Sequence, residues 1–210
     1  SPAATISNQT FNSADGSGSF DVTFQEGPNA TTISIQLEDS DGADSNVSSV
    51  GVTVANVAPL VNADPPPINE NAFAQLTGDF PDAGIFDAHT VTVDWDDPNN
   101  GVNSVFSLPA TNTLLVNQTF TSTAGDGAVL TIQAVDLITG RVDFASAHQY
   151  LDDGPAGGNA TPSDVSTINV CVSDDDGAVG AGTTTVTVNN VAPNSVVLNS
   201  GNINEGDTFT

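Results

Sequence analysis

Basic residues are nearly missing: Lys and Arg together number 1 in 210 residues, against 26 Asp and Glu, for a net charge of −25. Without a basic face the chain cannot neutralise a nucleic-acid backbone or dock on anionic lipid. Phosphate-handling sites lose their usual Lys and Arg partners for the same reason. A single Cys excludes an internal disulfide framework. No Met occurs and the first residue is Ser, so the chain reads as a piece of something longer or as a matured product. No apolar run approaches the roughly 20 residues that a membrane-spanning helix needs, so direct membrane insertion is not expected. One Trp and one Tyr are too few for the sugar-stacking platforms of a glycosidase cleft. The sequence has no nucleophile elbow, P-loop, zinc-protease or dinucleotide motif, and the expectation is a non-enzyme.

What is present is a core and a repeat. Apolar residues make up 38% before Gly is counted, enough for a folded domain rather than a disordered acidic tail. Val-Thr-Val at 52–54 returns at 186–188, and Asn-Val-Ala-Pro at 56–59 returns at 190–193, both offset by 134. Asp-Gly-Ala at 41–43 returns at 176–178, and Ile-Asn-Glu at 68–70 returns at 203–205, both offset by 135. Ordered markers at one spacing are the signature of repeat architecture. A looser match, Asn-Gln-Thr-Phe at 8–11 and 117–120, has an offset of 109. It implies a first copy about 26 residues shorter ahead of its Asp-Gly-Ala, or it is coincidence. Residues 1–57 therefore read as the C-terminal half of one unit, 58–193 as a complete unit with an expanded middle, and 194–210 as the first strands of a third. Asn-Val-Ala-Pro reads as the linker, since Pro cannot join a central ladder.

Alternation marks strands throughout. Thr185 to Val188 and Ile33 to Leu37 alternate strictly, and Val91, Val93 and Trp95 share one face against Thr92 and Asp94. Gly, Asn, Asp and Pro punctuate these runs at short intervals, as in an antiparallel β-sandwich. Strands are expected near 59–63, 68–72, 73–80, 89–95, 103–107, 113–120, 128–136, 141–149, 165–172 and 183–190. Trp95 belongs in the core. Cys171 lies on the face opposite Ile168, Val170 and Val172 and is expected to be inert. His89 and His148 read as structural hydrogen-bonding groups. Asn-X-Ser/Thr sequons at Asn8, Asn29, Asn46, Asn117 and Asn159 are no more than Asn and Thr abundance predicts.

The set His89–Asp97, His148–Tyr150, Thr167–Ala178, Thr183–Val188 and Asn190–Pro193 resembles the PKD-type immunoglobulin-like repeats of very large bacterial surface proteins. One departure is the turn after Trp95, which runs from Asp96 to Gly101 where the family usually has Gly-Asp-Gly. The resemblance implies an all-β fold of tandem antiparallel sandwiches of about 134 residues, with Trp95 between the sheets.

The acids cluster although almost nothing can neutralise them. Like charges a few ångströms apart repel by roughly 1–4 kcal/mol per pair at dielectrics of 80 to 20. Such clusters persist where each group is well solvated in an ordinary Asp-Gly turn, or where a hard cation sits among them. Ca²⁺ takes six to eight oxygens and suits this ligand set better than Zn²⁺, which wants His or Cys. In an immunoglobulin-like sandwich, Asp82 and Asp87 should meet Asp174, Asp175 and Asp176 near the linker residue Asn56. At the opposite pole Glu70, Asp96, Asp97, Asp152, Asp153, Asn189 and Asn190 could converge, an arrangement like that of cadherin joints by analogy. Asp39 and Asp41 would repeat the Asp174–Asp176 contribution in the first copy.

The resulting expectation is an extracellular or cell-surface structural protein. Its repeats would form a stalk, fibre or filament with Ca²⁺-stiffened joints, and its partners would be neighbouring repeats or copies of itself. The alternatives are an adhesion module recognising surface carbohydrate and the accessory region of a secreted hydrolase. The phase of the window also leaves two accounts open, a stretch of a giant repeat protein or a subunit completed by β-strand addition.

Overall fold

A computed structural model describes residues 4–65, 67–155, 157–195, 201 and 205. Most of the expected opening of a third unit therefore lies outside the described residues. The chain is nearly all β. Four strands form the first part: β1 (Ala4–Asn12), β2 (Ser17–Phe24), β3 (Asn29–Ile35) and β4 (Ser48–Val54). The second part holds β5 (Asn62–Asp64), β6 (Ile68–Asn69), β7 (Phe73–Pro81), β8 (His89–Asp94) and β9 (Ser104–Leu108). It continues with β10 (Thr119–Thr121), β11 (Val129–Asp136), β12 (Arg141–Gln149), β13 (Ser163–Asp174) and β14 (Val179–Asn189).

Two five-stranded sheets make the second part, in the orders β10-β11-β12-β7-β5 and β6-β14-β13-β8-β9. Every pairing within them is antiparallel except β6 with β14. Their alternation is the cause of the layering. Val142 and Phe144 on β12, Val91 and Val93 on β8, and Ile168, Val170 and Val172 on β13 all point inward, while their neighbours stay accessible. Burying each such side chain contributes about 1.5–3 kcal/mol. Trp95 closes the core at one end. Its Nε1 donates to Ser104 Oγ at 2.9 Å, its ring stacks on His148 at 5.0 Å, and its carbonyl accepts from the Tyr150 hydroxyl. The buried hydrophobic core among the described residues is drawn from Val61 to Val188.

Three strand expectations change, the first being the edge piece expected over 68–72, which is strand only at Ile68–Asn69. The run expected over 113–120 is a 3₁₀ turn at Thr111–Thr113 followed by irregular chain, and only Thr119–Thr121 is strand. Asn117 takes a left-handed φ of 66°, and of the Leu114-Leu115-Val116 run only Leu114 is buried, so no alternating face exists to hold a strand. The opening strand starts later than expected, at Asn62, with Val61 buried just ahead of it.

The repeat is visible in hydrogen-bond register. Ile33 pairs with Val50 as Ile168 pairs with Thr184, which preserves the offsets of 135 and 134 on the two strands. The β1–β2 hairpin matches β11–β12 with an offset of 124: Asn12 pairs with Ser17 as Asp136 pairs with Arg141. The bulge in β1 between Ser7 and Thr10 falls where β11 has its own between Ile132 and Ala134. The offset of 109 is therefore coincidental. The first copy is shorter by 11 residues (135 less 124), all between its two hairpins. By this correspondence Ile6, Ile35 and Leu37, which are 57%, 43% and 54% exposed, match the fully buried Leu130, Val170 and Val172. The first part thus presents two hairpins whose apolar faces flank an open cleft of about 630 Å³.

Candidate metal centre

The turn from β7 to β8 carries Asp82 and Asp87, and the turn from β13 to β14 carries Asp174, Asp175 and Asp176. Each turn is shaped by its own first acid. Asp82 Oδ1 accepts from Gly84 N at 3.0 Å, and Asp174 Oδ1 accepts from Ala178 N at 2.8 Å. A Cβ at Gly84 would overlap the Asp87 carboxylate, so only Gly lets the turn fold so tightly around that group. Asp175 Oδ1 accepts from Ala88 N at 3.0 Å and ties the two turns together. Asn56, in the linker, donates from Nδ2 to Asp174 Oδ2 at 2.8 Å. The structure thus gathers Asp82, Asp87, Asp174, Asp175 and Asn56 at one end of the sandwich.

Asp82, Asp87 and Asp174 are all buried, and each offers a carboxylate oxygen within 4.8 Å of the others. Glu26, Asp87 and Asp176 form a second such group, so Asp87 belongs to both. Glu26 comes from the turn between β2 and β3 in the first part, and the cluster therefore spans two repeats. Both oxygens of Asp87 are buried without a hydrogen-bond donor. Burial, the Glu26 carboxyl beside it and the charges of Asp82 and Asp175 push the Asp87 carboxyl up to about 8. Two facing carboxylates are both acceptors, so the contact needs either a shared proton or a cation. The Arg is not available for this: Arg141 pairs with Asp79 at 3.4 Å and Asp143 at 2.7 Å on an exposed sheet face. His89 Nε2 lies 2.9 Å from Asp82 Oδ2, with both side chains fully buried, and its ring packs on Phe80. That bond orients Asp82 toward the cluster, while the other ring nitrogen of His89, Nδ1, is buried without a hydrogen-bond partner.

An all-oxygen donor set, two groups of three carboxylates that share Asp87, fits Ca²⁺. Asp87 would hold it together with Asp82 and Asp174 or with Glu26 and Asp176, and the ion would supply the positive charge that none of these side chains has.

At the opposite end Glu70, Asp152 and Asp153 form a third group, with Asp153 buried. Asp96 and Asp97 do not join it. Asp96 Oδ2 accepts from Thr167 N at 2.8 Å, and Asp97 accepts from Asn99 N at 2.8 Å and bonds His148 Nε2 at 2.9 Å. These bonds fix the turn after Trp95. Asn189 turns its side chain to Ile68 O at 2.9 Å, away from the acids, and Asn190 is held through its backbone N, which donates to Pro162 O at 3.1 Å. Asp39 reproduces the local geometry of Asp174, accepting from Asp41 N and Ala43 N at 2.9 Å each. Asp39 and Asp41 are exposed, and no third acid gathers with them among the described residues. The turn bonds alone hold the Asp39 carboxyl below its usual value.

Glu26 is absent from the sequence-derived ligand set. The turn between β2 and β3 occupies the place in the first copy that the Asp152–Asp153 loop occupies in the second. Applying the opposite-pole argument to the first copy would have pointed to it. No family model matches any part of the chain, and no curated protein is significantly similar to it.

Proposed function

We propose that the chain is a stretch of tandem immunoglobulin-like repeats of the PKD-type plan, joined by Ca²⁺ and serving a structural, non-enzymatic, extracellular role in a stalk, fibre or surface filament. The observation that carries this reading is Asp87. It is buried, its two oxygens lack donors, and it stands between Glu26 of one repeat and Asp82 and Asp174 of the next. An ion held there fastens two units at their linker, which stiffens an array without adding contact area. The strand order supports the immunoglobulin-like plan, since the opening edge pieces β5 and β6 add to different sheets.

Thermal unfolding with and without chelator tests the reading. A ligand at 100 times its Kd stabilises the native state by about 2.7 kcal/mol. For a chain of this size that raises Tm by roughly 5–10 °C. Coincident melting curves with Ca²⁺ and with chelator would remove the metal joint from the account.

A further inference from the structure

The Glu70–Asp152–Asp153 cluster has the features of a second joint seen from its other side. Asp153 is 8% exposed, and its Oδ2 is buried without a donor. Asp152 sits against it as a second acceptor, and Glu70 adds a third carboxylate within 4.8 Å. Burial first, then Asp152 and Glu70, raise the Asp153 carboxyl above its ordinary value. The cluster is also fastened to a linker. Glu70 Oε1 accepts from Val191 N at 2.8 Å, and Glu70 N donates to Asn189 O at 2.9 Å. Asn190-Val191-Ala192-Pro193 has the same sequence as Asn56-Val57-Ala58-Pro59, the linker that runs into the first joint. In that joint the turn between the second and third strands of one unit, through Glu26, meets the acidic turns of the following unit. Asp152 and Asp153 occupy the corresponding loop of the second unit.

We propose that Glu70, Asp152 and Asp153 form a second Ca²⁺ site, the leading half of a joint whose other half is a further unit of the same kind, presenting acidic turns like those at 82–88 and 174–178. The inference rests on the joint proposed above and extends it from one contact to a rule of head-to-tail assembly. Three carboxylates leave at least half of a six- to eight-oxygen shell to water or to that further unit. The site in this chain therefore binds more weakly than the one around Asp87.

Terbium(III), a Ca²⁺ mimic whose emission is sensitised by nearby aromatic rings, separates the two sites. Tyr150 is three residues from Asp153, at most about 11 Å along the chain, and is in edge contact with the His148 ring that stacks on Trp95. Terbium added to the chelator-stripped 210-residue chain should give sensitised emission that excess Ca²⁺ quenches. Glu70→Gln with Asp153→Asn should weaken that binding by roughly tenfold or more while the Ca²⁺-dependent Tm rise persists. Asp152→Asn alone, a milder change, should shift the titration in the same direction. Asp87→Asn should remove most of the Tm rise and leave the emission. Emission unchanged in both the double variant and Asp152→Asn overturns the second site while leaving the first joint standing. Loss of neither signal in any variant overturns both.

Discussion

Asp87 is the residue on which the joint turns, and its charge state gives two tests. In metal-free protein its folded pKa of about 8 lies above the ordinary 3.8. A raised carboxylate favours the folded state while protonated and opposes it once ionised. Stability in chelator is therefore highest below about pH 4 as far as this group is concerned, and falls as pH rises toward 8. Ca²⁺ reverses that slope, because the ion needs the ionised form. Denaturant titrations across this range, with and without Ca²⁺, should show the two opposite trends. Asp87→Asn removes the buried charge but keeps the shape. In chelator at pH 8 it should melt higher than the parent chain, and added Ca²⁺ should raise its Tm much less than it raises the parent's. A variant that melts lower in chelator and still responds fully to Ca²⁺ would remove Asp87 from the centre.

At the scale of strands and turns, the two copies make a paired experiment. Leu37, two residues past the end of β3, corresponds to Val172 in β13, yet Leu37 is 54% exposed and Val172 fully buried. Val172→Ala should cost about 1–3 kcal/mol through lost burial and a cavity, while Leu37→Ala should stay within about 0.5 kcal/mol. Urea unfolding of the two variants checks this, and equal costs would mean that the first hairpins have a core of their own. The same elements show how much could be read beforehand. Strands with strict alternation, such as β8, β12 and β13, were legible because the period of two and the burial agree. The acidic turns at Asp82–Asp87 and Asp174–Asp176 were legible because sandwich topology brings those turns to one pole. The run over 113–120 misled because composition alone, without alternation, says nothing about a left-handed Asn117. Asp96 and Asp97 misled for another reason: they face Thr167 N, Asn99 N and His148 and do not gather with Glu70, Asp152 and Asp153, and only the fold shows that. Glu26 was hidden because the first copy lacks the 11 residues that set its hairpin spacing in the second.

Over the whole molecule, a net charge of −25 with a single basic side chain makes self-repulsion the default. Burying acids at the junction between repeats goes against that default unless something positive sits there. The account's central claim is that a Ca²⁺ ion does, and that its ligands come from both repeats. Anomalous scattering from a crystal grown with Ca²⁺ tests this most directly. The account predicts a calcium peak about 2.3–2.6 Å from carboxylate oxygens of Asp87, of Asp82 or Asp174, and of Glu26. A map with no peak there, and with Asp87 and Glu26 held together by a shared proton, would contradict it.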